Sequence, residues 1–303
     1  VIGRHISEAL LRTGERGVLK WHSVLSGARR ARCDERSRRM VTCYSRFDCA
    51  TLCSARKNNM IESFRAIFAP PRDLILLAAT LWIGLALAEK RSERHGVSKE
   101  ALNNLVFYSL FGYLLGGRIL FALANFSAFA DSPLNIFSLN VDLFDPIGGV
   151  ITAILVGVVY IKKTSQVSQT REVYWKTLDA LTPIFAALAI GLHLSHLAAG
   201  RAFGSPTALP WGIDLWNATR HPTQIYELIV ALVIFGVIWF RNSELSLGAL
   251  FLNFVALTAG ARLFLEAFRG DSTLIFGGFR LAQIAAWTVL MIVFIAGEQI
   301  QKD

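Results

Sequence analysis

Residues 219–240 read TRHPTQIYELIVALVIFGVIWF. From Leu228 to Phe240 the run carries no charge, as a helix set in lipid or among other apolar helices requires. Pro222 suits the first helical position, where its missing N–H removes no hydrogen bond. A helix start alone does not explain why Arg220, His221, Gln224, Tyr226 and Glu227 crowd that entrance. The polar lip and the apolar run together predict a membrane helix whose mouth has a task.

The remainder of the chain supports the membrane assignment. Of its 303 residues, 53% are hydrophobic and only 17% are charged. Mean hydropathy is +0.45, too apolar for an ordinary soluble domain. A β-barrel would show short alternating strands instead. The fold class is therefore all-α, a polytopic membrane protein.

Residues 1–59 differ from the rest of the chain. They hold 13 Lys and Arg against 5 Asp and Glu, and all four cysteines (Cys33, Cys43, Cys49, Cys53). The cysteine spacings match no zinc pattern, and a signal peptide's apolar core is missing. Basic runs can bind nucleic acid; the preferred expectation is a disordered extension or an over-long start assignment, with no nucleic-acid partner. Met60 then opens a membrane domain over residues 60–303.

That domain contains seven apolar segments: Leu74–Ala88, Leu105–Phe126, Pro146–Ile161, Leu178–Ala199, Ile225–Phe240, Leu245–Leu265 and Leu281–Ala296. Several fall short of the ~20 residues a perpendicular span needs, so flanking residues must join them. Lys90, Arg91, Arg94 and Lys99 come after the first segment, and Lys162, Lys163, Arg171 and Lys176 after the third. The loop between the second and third has only Asp131, Asp142 and Asp145. Basic loops stay in the cytoplasm, so the N-terminus is expected outside and the C-terminus inside. TRHPTQIYE then enters from the outer face.

Ionisable residues within spans mark function more often than not. Arg118 sits mid-segment, too deep to snorkel readily. His193 and His196 are three apart, on one helix face; they read either as helix contacts or as site residues. A metal there needs further ligands, and no carboxylate lies beside them in sequence, so none is expected. Arg262 and Glu266, four apart, read either as an intrahelical pair worth about 0.2–0.5 kcal/mol or as part of a site. Gly148 and Gly149 allow a helix or a lipid to pack close, and Gln283 opens the last segment. Arg118, Arg220, His221 and Arg262 together describe an anion site at the outer leaflet, since arginine matches phosphate with a fork of donors. Apolar walls suit acyl chains, so a membrane phospholipid fits.

At these residues the chain resembles the bacterial prolipoprotein diacylglyceryl transferases, from about Asp73 to Ala296. LGGRI (115–119), LPWG (209–212), RHPTQIYE (220–227), ARLFLEAFR (261–269) and LAQI (281–284) carry the resemblance. RHP-x-Q-x-YE is the strong signal. The resemblance implies a multi-pass enzyme of the bacterial cytoplasmic (inner) membrane. It would move a diacylglyceryl group from phosphatidylglycerol to the lipobox-cysteine thiol in the signal peptide of a preprolipoprotein. No cofactor is implied, because the lipid carries the reacting group. By position, Arg118 and Arg262 would hold the phosphate and Glu266 would orient Arg262, while His221, Gln224, Tyr226 and Glu227 would shape the entry. The candidate catalytic set is His193, His196, Arg262 and Glu266; the candidate binding set is Arg118, Gly148, Gly149, Arg220, His221, Gln224, Tyr226, Glu227 and Gln283.

The chain departs from the family pattern in places. Ile147-Gly148-Gly149 stands where the family has His-Gly-Gly. His193 and His196 fall where it has arginine and asparagine, Arg201 falls near its glutamate, and Thr258 replaces a tyrosine. Either the histidines take over proton transfer or anion binding, since imidazole titrates near neutral pH, or the frame persists as a lipid-binding protein without the reaction. A transporter would show repeated halves with interrupted helices, and there is no sign of them.

Overall fold

The structure is a computed structural model; it describes residues 60–130, 143–164, 170–241, 246–275 and 277–302. The expectations for residues 1–59 lie outside the described residues. Each of the seven apolar segments forms a helix: α1 (Leu74–Ser92), α2 (Lys99–Ala124), α3 (Pro146–Thr164), α4 (Thr170–Ala199), α5 (Thr223–Phe240), α6 (Ala249–Leu265) and α7 (Leu281–Lys302). Among the described residues, six of these, all but α1, are long and apolar enough to cross a membrane. The chain is a helical multi-pass membrane protein. In α1 the C-terminal turns carry Glu89, Lys90 and Arg91.

Helix α2 starts where the Ser98 hydroxyl accepts the Ala101 N–H at 3.2 Å. Helix α4 begins well before its apolar segment, because backbone hydrogen bonding continues through a polar first turn at no cost in lipid contact. Large apolar side chains such as Trp82, Phe107, Ile147, Phe240, Trp287 and Phe294 are exposed on the outer surfaces. Hydrocarbon, not water, is their solvent.

Close packing comes from small residues, as expected where lipid removes the hydrophobic drive between helices. A Cβ on Gly149 would lie 2.9 Å from the Tyr113 ring and carbonyl, and one on Gly116 would overlap Thr152. So α2 and α3 meet almost backbone to backbone, and the close neighbour of Gly148 and Gly149 is a helix. Gly116→Val should force these helices apart and lower stability by about 1–3 kcal/mol. Detergent-unfolding midpoints test this, and an unchanged midpoint would refute the tight contact.

Two contacts fix how the other helices run. Arg91 donates to the carbonyls of Ile238, at 3.4 Å, and Trp239, and lies 4.0 Å over the Trp239 ring. Asp179, buried, accepts from the N–H groups of Gly248 (2.7 Å) and Phe251 (2.9 Å) at the start of α6. A carboxylate there meets both the orphan donors and the positive end of the helix dipole. Nearby His95 is held below its usual pKa by burial, with Asp179 opposing and Arg91 and Arg94 assisting. The C-termini of α1 and α5 and the start of α6 therefore share one end of the bundle. The end of α4, the start of α5 and the end of α6 share the other.

That second end carries structure the sequence read as loop. β1 (Ile213–Leu215) and β2 (Ala218–Arg220) form an antiparallel hairpin, and β3 (Leu274–Ile275) and β4 (Phe279–Arg280) form a smaller one. Trp216 and Asn217 turn the first hairpin with φ of 54° and 60°, the paired left-handed geometry of a tight hairpin. Tryptophan seldom adopts it; here its indole N–H donates to the Gly200 carbonyl at 3.2 Å. Ser205 N–H to Phe268 O (2.9 Å), Gly270 N–H to Phe203 O (2.9 Å) and His221 N–H to Ser205 O (3.0 Å) tie the loop after α4 to both neighbours.

Candidate functional site

Glu227 stands near the start of α5, Arg262 on the last turn of α6, and His193 and His196 on the last turns of α4. Their meeting results from the antiparallel packing of α4, α5 and α6, around Ala186, Ile234, Ile238, Leu250 and Phe254. At the polar end of that seam Glu227 is the hub, with its side chain only 3% exposed. Its Oε1 accepts from Arg262 Nη1 at 3.0 Å and from Arg269 Nη1 at 3.2 Å. Its Oε2 lies 3.1 Å from His193 Nδ1. Arg262 Nη2 reaches Glu266 Oε2 at 3.0 Å. Arg269 is clamped by Asp271 through Nε (2.9 Å) and Nη2 (2.8 Å).

The two arginines differ in what they leave open. Arg269 is 10% exposed and directs Nη1, Nη2 and Nε at carboxylates. Arg262 is 36% exposed; it donates from Nη1 to Glu227 and pairs through Nη2 with Glu266. A guanidinium has five N–H donors, so about three remain for an anion. Arg262 also lines a cleft with His193 and Glu227 at its polar end and Val230, Ile234 and Phe254 along its apolar walls. Cation above and hydrocarbon below match the two halves of a phospholipid.

The residues of the lip have mostly structural partners. Arg220 donates from Nε to Leu215 O (3.0 Å) and from Nη1 to Gly204 O (3.3 Å), and stacks 4.9 Å from the Phe203 ring. These contacts brace the loop and use two of its five N–H donors. Gln224, fully buried, donates to Arg201 O at 2.8 Å. Tyr226 accepts the Trp211 indole N–H at 2.8 Å. His221 packs 5.4 Å from the Phe268 ring and 6.4 Å from Tyr226. Gln283 donates to Leu263 O at 3.2 Å, bracing the backbone beside Arg262.

Arg118 is not brought to this cluster among the described contacts. Helix α2 packs chiefly on α3, and Arg118 Nη1 donates to Leu143 O at 2.5 Å. Gly148 and Gly149 belong to the same α2–α3 contact. Arg269 and Asp271 are cluster members outside the sequence candidates. Arg269 was visible at the end of ARLFLEAFR, seven residues after Arg262; Asp271 offered no signal.

This constellation lies on a stretch that matches known proteins. Residues 74–297 match the family described as prolipoprotein diacylglyceryl transferase. The chain belongs to that family. It is similar to the phosphatidylglycerol–prolipoprotein diacylglyceryl transferase of Trichormus variabilis, 28% identical over 232 residues, covering 71% of this chain and 79% of that one. The transferase of the same name from Clostridioides difficile is 30% identical over 212 residues, covering 69% and 82%. Every cluster residue, from His193 to Asp271, falls within the matched family region.

Proposed function

We propose that this chain transfers the diacylglyceryl group of phosphatidylglycerol to the lipobox-cysteine thiol of a preprolipoprotein, in the bacterial cytoplasmic membrane. The carrying observation is Arg262, with uncommitted donors at the polar end of an apolar cleft beside two imidazoles. In the reaction the cysteine sulfur attacks a glyceryl carbon. A C–S bond forms, the C–O bond to phosphate breaks, and glycerol phosphate leaves with the electron pair. Arg262 binds the phosphate and meets the charge that grows on the departing oxygen, the kind of fixed electrostatic help that speeds such steps most. Glu227 and Glu266 hold its guanidinium in place, and Arg269 holds Glu227. His193 and His196 assist loss of the thiol proton. His221, Gln224 and Tyr226 keep the lip in shape.

The topology proposed with it has seven spans, the N-terminus outside and the C-terminus inside. Lys90, Arg91 and Arg94 lie at the bundle end where α1 finishes, and Lys162 and Lys163 end α3. By the positive-inside rule these ends are cytoplasmic. The glutamate–arginine cluster then faces the outer leaflet.

The test is rescue of a bacterium depleted of its own transferase. Expression of the chain should restore growth and thioether-linked lipid on an acceptor lipoprotein. Trp287→Ala, on the exposed face of α7, should rescue equally. Membrane-inserted protein that gives neither growth nor lipidation would overturn the proposal.

A further inference from the structure

The polar cluster holds a donor set whose spacing the transferase reading does not require. His193, His196 and Glu227 each offer one ligand atom, and these atoms lie within 4.8 Å of one another. His193 Nδ1, His196 Nδ1 and Glu227 Oε2 are buried from solvent, and none makes a well-formed hydrogen bond. His193 Nδ1 and Glu227 Oε2 nevertheless approach to 3.1 Å. Two donors about 2.0–2.1 Å from one tetrahedral zinc ion lie roughly 3.3 Å apart, so this pair already has nearly that spacing.

We propose that His193, His196 and Glu227 form a site for a divalent transition-metal ion of the zinc class, with its fourth position open to a substrate thiol. Two imidazoles and one carboxylate with an open position are a known catalytic zinc set. The surroundings suit it. Arg262 and Arg269 occupy Oε1 of Glu227 and leave Oε2 for the ion. Such outer partners orient a ligating carboxylate. Glu227, far from the histidines in sequence, is brought to them by the α4–α5 contact and supplies the carboxylate whose absence beside them led to the expectation of no metal.

The thiol half of this inference rests on the transferase reading; the metal half does not. A thiol entering the open position loses its S–H proton to water at the outer surface and binds as thiolate, as metal coordination enforces. The later C–S formation and C–O cleavage are those of the transfer itself. His193 and His196 then act as ligands.

The experiment uses the full chain in detergent with Cys33, Cys43, Cys49 and Cys53 changed to serine, which removes competing thiolates. Co²⁺ is the probe. One ion per chain should bind with the visible absorption of low-coordinate cobalt. His196→Asn and Glu227→Gln should each weaken binding by more than about 100-fold, since even outer partners are worth roughly 10–100-fold. Trp287→Ala should leave it unchanged. His196 is only half-buried, so its variant keeps the fold if Glu227→Gln does not. A lipobox peptide with cysteine should add a sulfur-to-cobalt band that its serine twin lacks. No bound cobalt, or equal affinity in His196→Asn, overturns the site; cobalt without the sulfur band overturns the thiol position. Lipidation that persists without any metal would leave the transferase reading standing alone.

Discussion

Arg262→Ala should lower diacylglyceryl transfer by about 10²–10³-fold, the usual loss when one preorganised donor to a developing anion is removed. The variant loses a guanidinium with a third of its surface open, and with it the donors that Glu227 and Glu266 hold in position. Arg262→Lys should recover only part of the rate. A lysine keeps the charge but cannot face two carboxylates and a phosphate at once. Transfer from labelled phosphatidylglycerol to a lipobox peptide in vesicles measures both. Rates for Arg262→Ala within about threefold of the parent, a difference below about 1 kcal/mol, would remove Arg262 from the chemistry. Arg269→Lys is the informative companion. Arg269 acts through Glu227 and Asp271, so its effect should appear in stability before it appears in turnover.

The spans were legible because each is one continuous physical signal. Leu228–Phe240 has no charge, and helix α5 ends at Phe240. Boundaries at polar ends were less so: α4 runs back to Thr170 and α7 on to Lys302. Hydropathy reports lipid contact, whereas the helix ends where its hydrogen bonds end. Within the site, Arg262 and Glu266 were readable as a pair because four residues make one turn. Glu227 with Arg262 was not, since that contact crosses between helices and no period records it. The charge of Arg220 was equally visible, but not that carbonyls of Leu215 and Gly204 would take two of its donors.

Glu227→Ala should be the most destabilising single change in the cluster. Oε1 of Glu227 sits between Arg262 and Arg269, at 3.0 and 3.2 Å. Without it two guanidiniums face each other, Arg269 buried and Arg262 a third open; breaking a fully buried pair costs about 3–5 kcal/mol, and the open side of Arg262 brings the loss toward the lower end of that range. Glu227→Gln keeps an acceptor for the arginines, and its amide N–H can donate to His193 Nδ1; its cost should be nearer 1–3 kcal/mol. Stability alone therefore ranks alanine below glutamine below the parent, read from unfolding midpoints in mixed micelles. Activity should not follow that order. A neutral amide cannot balance Arg262 and Arg269 together, so glutamine should lose most of its transfer while still folding. If both variants unfold like the parent, Glu227 does not join these helices. If Glu227→Gln folds and transfers normally, its negative charge has no part in the reaction, and Glu266 alone positions Arg262.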